Sequence, residues 1–260
     1  MSTLVHDGTA ILGRHLQRIR HAPALPLMTQ TMPIVFLLFF GYVFGSALAM
    51  PGADYRAYLV PGMLVATAAN GMMTGMFQAA QDTHRGVTDR LRAMPVSRAA
   101  VPLGQSLADL VTSAVGMVPL VLAGLAMGWR IDGTAPQALG AFGLLLLFRC
   151  AMTWVGILLG LASRSEEAAS QLGSAVFMLP LISNAYIPTG GMPGWLRTVA
   201  EWNPISAVTT AVRELFGNAQ AHAEADAAWP VAHPVAGALL WSLALIALCA
   251  PAAVRRYART

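Results

Sequence analysis

The sequence contains no lysine, and only 11% of its 260 residues are charged. A soluble globular domain has about 25% charged residues, so this chain lacks the polar surface that would keep it in solution. The missing lysine also excludes a phosphate-binding loop of the Gly-Lys-Ser/Thr type, and with it that kind of ATPase site. We therefore predict an integral membrane protein without such a site.

Chemically reactive residues are also scarce. The two cysteines, Cys150 and Cys249, lie in apolar runs without Cys-x-x-Cys spacing, which is typical of small buried side chains. The six histidines lie at the chain ends or in loops, and no His-Glu-x-x-His motif is present, so we predict no catalytic and no metal site. The net charge of +4 does not indicate nucleic-acid binding, because the arginines lie between apolar segments rather than on one soluble face.

Long apolar runs make up most of the chain, which is 56% hydrophobic with a mean hydropathy of +0.59. Roughly 20 apolar residues cross a hydrocarbon core of about 30 Å. The pattern predicts an all-α, polytopic membrane protein with six transmembrane helices. The predicted spans are residues 27–48, 57–80, 101–127, 138–162, 168–185 and 231–254.

The arginines predict how these spans are oriented. When both chain ends are placed on one side, that side carries eleven of the sixteen arginines and the opposite side carries four. Cytoplasmic loops carry the excess of positive charge. The N- and C-termini are therefore predicted to be cytoplasmic.

Two further segments are predicted to lie at the membrane surface. Residues 9–21 combine an apolar stripe with a basic face, which predicts an interfacial amphipathic helix in contact with lipid headgroups. Residues 187–215 mix prolines and glycines with Trp195 and Trp202, and indole rings favour the interface. This second segment is predicted to form short, partly re-entrant helices on the extracellular side.

The most distinctive polar stretch is the loop 81–98, which carries four arginines and two acids between two apolar runs. Val87, Leu91 and Met94 recur at helical spacing, and Pro95 is expected to end the helix. A short amphipathic helix of this kind fits a groove on a cytoplasmic partner. The alternative is a solvated loop that only follows the positive-inside rule.

Asn70 and Arg149 are candidates for a substrate path within the spans. Arg149 lies near the middle of the fourth span, where a charge costs at least about 2.5 kcal/mol. It either faces a cavity and meets an anionic substrate or headgroup, or it snorkels or pairs with a polar group such as Asn70. Asn70 itself is otherwise a hydrogen-bonding contact between helices.

Asp109 is the only acid within a predicted span, close to its cytoplasmic end. We expect it to interact with headgroup or loop arginines. Proton-coupled carriers keep ionisable groups within the membrane, and no clear set of that kind is present. A transporter with neither an ATPase site nor an ion-coupling site would take its energy from another chain.

The loop 81–98 resembles the loop between spans two and three in permease subunits of ABC-2 type exporters, the family of daunorubicin/doxorubicin-resistance and nodulation lipo-oligosaccharide permeases. The family pattern is roughly Glu-Arg-x-x-Gly-Thr-x-Glu-x-Leu-x-x-x-Pro-Val-Ser-Arg, from which His84 and Val87 depart. Residues 160–169 resemble the family's turn between spans four and five, and residues 187–213 resemble its outer segment. The loop residues at corresponding places are Asp82, Arg85, Gly86, Val87, Asp89, Leu91, Pro95, Val96, Ser97 and Arg98, with Val87 in the place where a threonine is common.

The resemblance implies that residues 1–260 form a single ABC-2 type transmembrane domain in the bacterial plasma (inner) membrane. It implies that 81–98 is a cytoplasmic coupling loop seated in a separate ATP-binding cassette subunit. That subunit would bind ATP and Mg, this chain would bind no cofactor, and a second permease copy or paralogue would complete the transporter. The implied docking residues are Arg85, Gly86, Val87, Asp89, Arg90, Leu91, Met94 and Pro95.

The predicted function is export of a hydrophobic or amphipathic compound, such as a drug, antibiotic, lipid or glycolipid. The predicted spans are apolar and rich in methionine, and they offer few polar groups that could recognise a substrate. Two alternatives come from other classes. One is a non-transporting membrane scaffold or immunity protein, and the other is an ion-driven carrier.

Overall fold

The computed structural model describes residues 30–45, 55–84, 100–218 and 227–259, and within these ranges it contains helices and no strand. The predicted all-α class is confirmed. The helices are α1 (Thr31–Phe39), continued by a π-helical turn (Phe40–Phe44), α2 (Tyr55–Ala69), α3 (Gly71–His84), α4 (Ala100–Ala126), α5 (Ala135–Ala162), α6 (Glu166–Val176), a 3-10 turn (Thr189–Gly191), α7 (Gly194–Trp202), α8 (Pro204–Leu215), α9 (Trp229–Ala232) and α10 (Pro234–Arg259).

Three helices are long and apolar enough to cross a membrane. They are Pro102–Ala126 in α4, Ala135–Ala162 (α5) and Pro234–Tyr257 in α10, which match three of the six predicted spans. The apolar stretch Thr31–Val43 is shorter. The predicted surface helix over 9–21 and the coupling loop beyond His84 lie outside the described residues.

The second predicted span is divided at Asn70, where α2 ends and α3 begins. The backbone hydrogen bonds nevertheless continue across the division. The Asn70 N–H donates to the Ala66 carbonyl at 3.2 Å, and the Thr74 N–H donates to the Asn70 carbonyl at 3.1 Å. The interruption is therefore a local distortion of the helix rather than a loop.

The fifth predicted span, 168–185, is not one continuous helix. Helix α6 ends at Val176, and turns occupy residues 177–186. Pro180 has no N–H to continue the helical ladder. The Ser183 hydroxyl donates to the Pro180 carbonyl at 2.6 Å, which satisfies one of the backbone groups that the turns leave open.

The predicted outer segment contains two short helices, α7 and α8, with a break between them. Helix α7 follows Pro193, and Asn203 lies between α7 and α8. The Asn203 side chain accepts a hydrogen bond from the Ile205 N–H at 2.9 Å, and Pro204 occupies the first helical position. Both features favour a new helix start at this point.

Helix α2 lies at the centre of the bundle. Thirteen of its fifteen residues are buried, on all sides of the helix. A helix that is apolar all round is typical of a core element. It packs against α4, α5 and α8 and carries one wall of the cavity described below.

Helices α3 and α5 form the largest helix–helix contact among the described residues. The sequence predicts close packing at Gly-x-x-x-Gly pairs, and two of these pairs face each other here. A Cβ on Gly71 or Gly75 would meet Arg149, Thr153 or the Thr153 carbonyl, and a Cβ on Gly156 or Gly160 would meet the carbonyls of Met72 or Met76. Only glycine lets the two backbones approach this closely.

The variant Gly156→Ala tests this contact. Its new methyl group would overlap the Met72 backbone, so α3 and α5 must separate. Overpacking of this kind costs about 1–3 kcal/mol, and we expect the melting temperature of the purified protein to fall by about 5 °C. The matched control is Gly143→Ala on the same helix, where nothing lies within 4 Å of the new atom. An equal loss in both variants would show that the close approach does not stabilise the bundle.

Candidate functional site

A cavity of about 380 Å³ lies among α1 to α5. Its position within a bundle of apolar helices makes its lining unusual, because ten of the thirteen lining residues are polar or charged. They come from five parts of the chain: Gln30, Thr67, Asn70, Thr74, Gln78, Gln105, Asp109, Thr112, Ser113 and Arg149. The expectation of little polar recognition in the spans is wrong for this region.

Arg149 and Asp109 form a buried ion pair in the cavity wall. The Arg149 Nε lies 2.8 Å from Asp109 Oδ2, and an Arg149 Nη lies 2.6 Å from Asp109 Oδ1. This is the bidentate geometry that a guanidinium and a carboxylate favour. Arg149 is 8% and Asp109 is 7% exposed, so water does little to screen the pair.

The helices on either side complete the hydrogen bonding of this pair. Arg149 also donates to the Thr67 carbonyl at 3.0 Å and to the Thr74 hydroxyl at 3.4 Å. The Thr153 hydroxyl donates to Asp109 Oδ2 at 2.8 Å. The network thus ties α4 and α5 to α2 and α3, and it leaves the cavity without net formal charge.

Arg149 pairs with a group on a neighbouring helix, which was one of its alternatives, but that group is Asp109. It does not pair with Asn70, and Asp109 contacts Arg149 rather than headgroup or loop arginines. The two residues are 40 positions apart and are the only charges within the six predicted spans. A buried charge needs a partner, so this pairing was available from the sequence.

Several polar groups of the cavity have no partner among the described residues. Gln30 is 8% and Ser113 is 6% exposed, yet Gln30 Oε1 and Ser113 Oγ accept or donate no hydrogen bond there. The Asn70 side chain likewise makes no hydrogen bond within the described ranges. In contrast, Gln105 donates to the Gln78 side chain at 2.8 Å. Buried polar groups are normally paired. Gln30 Oε1 and Ser113 Oγ are instead enclosed by protein, with less than 1 Å² of accessible surface each.

A second buried arginine was missed by the sequence analysis, which counted Arg213 among the outer arginines. Arg213 lies in α8 and is 5% exposed. It donates to the carbonyls of Tyr58, Asn184 and Ala185 at 2.9 to 3.1 Å. Its guanidinium carbon also lies 3.5 Å from the centre of the Tyr58 ring. Arg213 therefore holds the turns after α6 against α2.

The end of α3 packs beside the start of α6. The Ser165 hydroxyl accepts a hydrogen bond from the Ala168 N–H at 3.1 Å and so caps α6. A hydrogen bond from its own backbone N–H, supported by Ser165 and nearby His84, lowers the pKa of the Glu167 carboxyl. The predicted docking residues, from Arg85 to Pro95, follow directly after α3 and lie outside the described residues.

Comparison with known proteins identifies the family. The family described as "ABC-2 type transporter" matches residues 8–216. The chain belongs to the ABC-2 type transporter family. It is 32% identical to the "Daunorubicin resistance ABC transporter permease protein DrrB1" of Streptomyces coeruleorubidus, over 98% of this chain and 86% of that protein.

Two relatives with lower identity to this chain are also described as permeases. The "Probable doxorubicin resistance ABC transporter permease protein DrrC" of Mycobacterium tuberculosis is 23% identical over 84% of this chain and 76% of its own length. The "Putative transport permease ycf38" of Pyropia yezoensis is 26% identical over 83% and 76%. The resemblance stated from the loop motif is confirmed. Membership of an ABC permease family makes the chain a membrane protein and implies an ABC ATPase as its partner.

Proposed function

We propose that this chain is the membrane subunit of an exporter that moves a hydrophobic or amphipathic compound across the bacterial plasma membrane. ATP and Mg bind to a separate ATPase subunit, and this chain binds no cofactor. The observation that carries the proposal is the polar cavity. Asn70 and Arg149, the two substrate-path candidates, both line it. Drug-resistance permeases among the relatives support an amphipathic cargo.

The path from ATP hydrolysis to the cavity runs through α3 in this proposal. Helix α3 contributes Met73, Thr74 and Gln78 to the cavity and ends at His84, next to the coupling loop. Its glycine contact with α5 reaches Arg149, so a displacement of the loop would move two walls of the cavity together. This requires the docking helix to rest on the ATPase through Val87, Leu91 and Met94, with Arg85, Gly86, Asp89, Arg90 and Pro95 around them.

The proposed topology has six spans, with both chain ends in the cytoplasm. Helices α4, α5 and α10 are three of the spans, and α2 with α3 makes another. The segment over residues 187–215 lies on the extracellular side, where it enters the membrane only partly. A second permease copy or a paralogue, together with two ATPase subunits, completes the transporter.

The docking of the ATPase is tested by co-purification. We expect the double variant Arg90→Glu with Leu91→Asp to retain at least tenfold less ATPase than wild type. Leu91→Asp removes an apolar contact of the docking helix, and Arg90→Glu reverses a charge beside it. The matched control is Arg130→Glu, which reverses the charge of an arginine at an exposed position outside the predicted spans. Equal recovery of the ATPase by the double variant and by this control would contradict docking through residues 81–98.

Transport is measured separately in inside-out vesicles, with doxorubicin as a fluorescent probe. We expect accumulation that depends on ATP and disappears when the ATPase subunit is catalytically inactive. Accumulation that is insensitive to the inactive ATPase, but is lost when the proton gradient collapses, would identify an ion-driven carrier. If no ATPase co-purifies with the chain although a positive control does, the result would favour a non-transporting membrane scaffold.

A further inference from the structure

The junction between α2 and α3 is held by a side chain from another helix. The Thr67 carbonyl lies in the last turn of α2, where a helix leaves its acceptors without intrahelical donors. Arg149 on α5 supplies a donor, with one Nη atom 3.0 Å from that oxygen. Helices kink where a side chain enters the ladder of backbone hydrogen bonds, and the interruption at Asn70 lies beside this contact.

The Thr74 hydroxyl adds a second distortion at the same place. It donates to the Asn70 carbonyl at 3.2 Å, and that carbonyl also accepts the Thr74 backbone N–H at 3.1 Å. A threonine that bonds back to the carbonyl four residues earlier often bends a helix. Arg149 donates to the same hydroxyl at 3.4 Å, so one guanidinium contacts both sides of the interruption.

Gly71 gives Arg149 the space to reach this junction. A Cβ atom at position 71 would lie 2.8 Å from Arg149 Cδ and 2.8 Å from Thr153 Oγ1. Non-bonded carbon atoms pack at about 3.5–4.0 Å, so any larger residue here would push the guanidinium away. The contact between Arg149 and the junction therefore depends on a glycine directly after the interruption.

Helices α3 and α5 form one unit, because close backbone contacts at Gly75, Gly156 and Gly160 join them. Helix α3 packs far less extensively against α2 and α4. The cavity lies on that side, and Gln105 of α4 donates across it to Gln78 of α3 at 2.8 Å. A rotation of α3 together with α5 would keep the tight contact and change the looser ones.

We infer that Asn70 is a hinge at which α3, together with α5, rotates against α2 and α4, and that Arg149 is the clamp that fixes the resting position of this hinge. Arg149 belongs to the rotating unit and binds both other helices, α2 through the Thr67 carbonyl and α4 through Asp109. Helix α3 has 14 residues. It is therefore about 21 Å long, and a rotation of about 15° would move its end at His84 by about 5 Å.

The inference rests on the proposed function in one respect, since the ATPase acts on α3 through the loop that follows this helix. Arg149 is then a positioning residue, and it sets where α3 and α5 rest before the ATPase moves them. The rotation itself does not require the clamp. This role replaces the expectation that Arg149 meets an anionic substrate.

Distances between spin labels in the purified full-length chain test the clamp. Labels at the exposed positions Gln81 and Leu107 form an α3–α4 pair, and labels at Gln81 and Leu139 form an α3–α5 pair, with both native cysteines changed to alanine. We expect the double variant Asp109→Leu with Arg149→Met to broaden the α3–α4 distance distribution by about 5 Å, the displacement calculated for the free hinge. The α3–α5 distribution should not change, because the glycine contact does not depend on the ion pair.

Gly71→Ala releases the clamp by a different route and leaves both charges in place. Its methyl group displaces the Arg149 side chain, so we expect the same broadening of the α3–α4 distribution. The matched control is Gly143→Ala, where nothing lies within 4 Å of the new atom, and both distributions should match wild type. The inference is overturned if both clamp variants keep the wild-type α3–α4 distribution, or if both label pairs broaden equally in them.

Reversible cross-linking tests whether transport needs the rotation. Gln78→Cys and Gln105→Cys, at two side chains that bond to each other, are joined by a bis-methanethiosulfonate reagent in vesicles that also contain the ATPase subunit. A two-carbon bridge fixes α3 to α4, whereas a long polyether bridge lets them move although it fills more of the cavity. We expect the short bridge to lower ATP-dependent doxorubicin accumulation about tenfold and the long bridge to lower it less than about twofold. Reduction of the bridge should restore accumulation.

Two transport results would also overturn the inference. Equal loss with both bridges would indicate a blocked cavity, and full accumulation with the short bridge would show that no rotation is needed. Failure of the proposed function gives a different pattern. Broadening of the α3–α4 distances without ATP-dependent accumulation in the unbridged protein would retain the hinge and reject export. Accumulation that continues with the short bridge would retain export and reject the hinge.

Discussion

The variant Asp109→Leu is expected to melt about 10 °C below wild type. It leaves the Arg149 guanidinium in the core without its carboxylate partner. Removal of one member of a buried ion pair costs about 3–5 kcal/mol, which corresponds to a change of this size in a chain of this length. The measurement is the thermal denaturation of the purified protein in one fixed detergent.

The double variant Asp109→Leu with Arg149→Met distinguishes loss of the pair from loss of one partner. Apolar replacement of both charges removes the unpaired group and the cost of burying it. We expect the double variant to recover most of the melting temperature. The matched control is Asp132→Leu at an exposed position, which should melt like wild type. A double variant as unstable as Asp109→Leu would show that the pair itself is required for the fold.

The same double variant separates folding from transport. If the pair serves mainly to hold α4 and α5 in position around the cavity, the folded double variant should still accumulate doxorubicin in the vesicle assay. The pair is then a positioning element of the site rather than a contact with the cargo.

The variant Arg213→Met has the second-largest expected effect, a fall in melting temperature of about 8 °C. Arg213 donates three hydrogen bonds to backbone carbonyls, and the Ala185 carbonyl has no other donor among the described residues. Arg213→Met removes these charge-assisted hydrogen bonds and leaves a buried carbonyl without a donor, which together costs about 3 kcal/mol of stability. Hydrogen exchange should also show faster exchange over residues 183–187, the turns that Arg213 holds.

Arg130→Met is the matched control for Arg213. Arg130 also donates to backbone carbonyls, at 2.8 Å to Leu125 and to Trp129, but its side chain is exposed. Water replaces its hydrogen bonds, so the melting temperature should change little. Arg213→Lys should recover only part of the loss, because an ammonium group lacks the planar fork of donors. Similar stabilities for Arg213→Met and Arg130→Met would show that burial of Arg213 contributes nothing.

Several features of this protein follow from its sequence alone. The scarcity of charge and the apolar runs predict helices in a membrane, because unpaired backbone groups are too costly in hydrocarbon. The loop 81–98, the turn at 160–169 and the outer segment identify the family, which the comparisons confirm. The glycine pairs predict close packing, because a residue without a side chain allows the backbone of any neighbouring helix to approach closely.

Other features were decided only by the tertiary structure. Periodicity shows which face of a helix is apolar, but it does not show which helix lies opposite. Arg213 therefore looked like an outer arginine, although α2 and the turns after α6 enclose it. The partners of Arg149 and the unpaired, enclosed side-chain atoms of Gln30 and Ser113 likewise depend on contacts between distant segments. Charge balance in the cavity is a property of that packing.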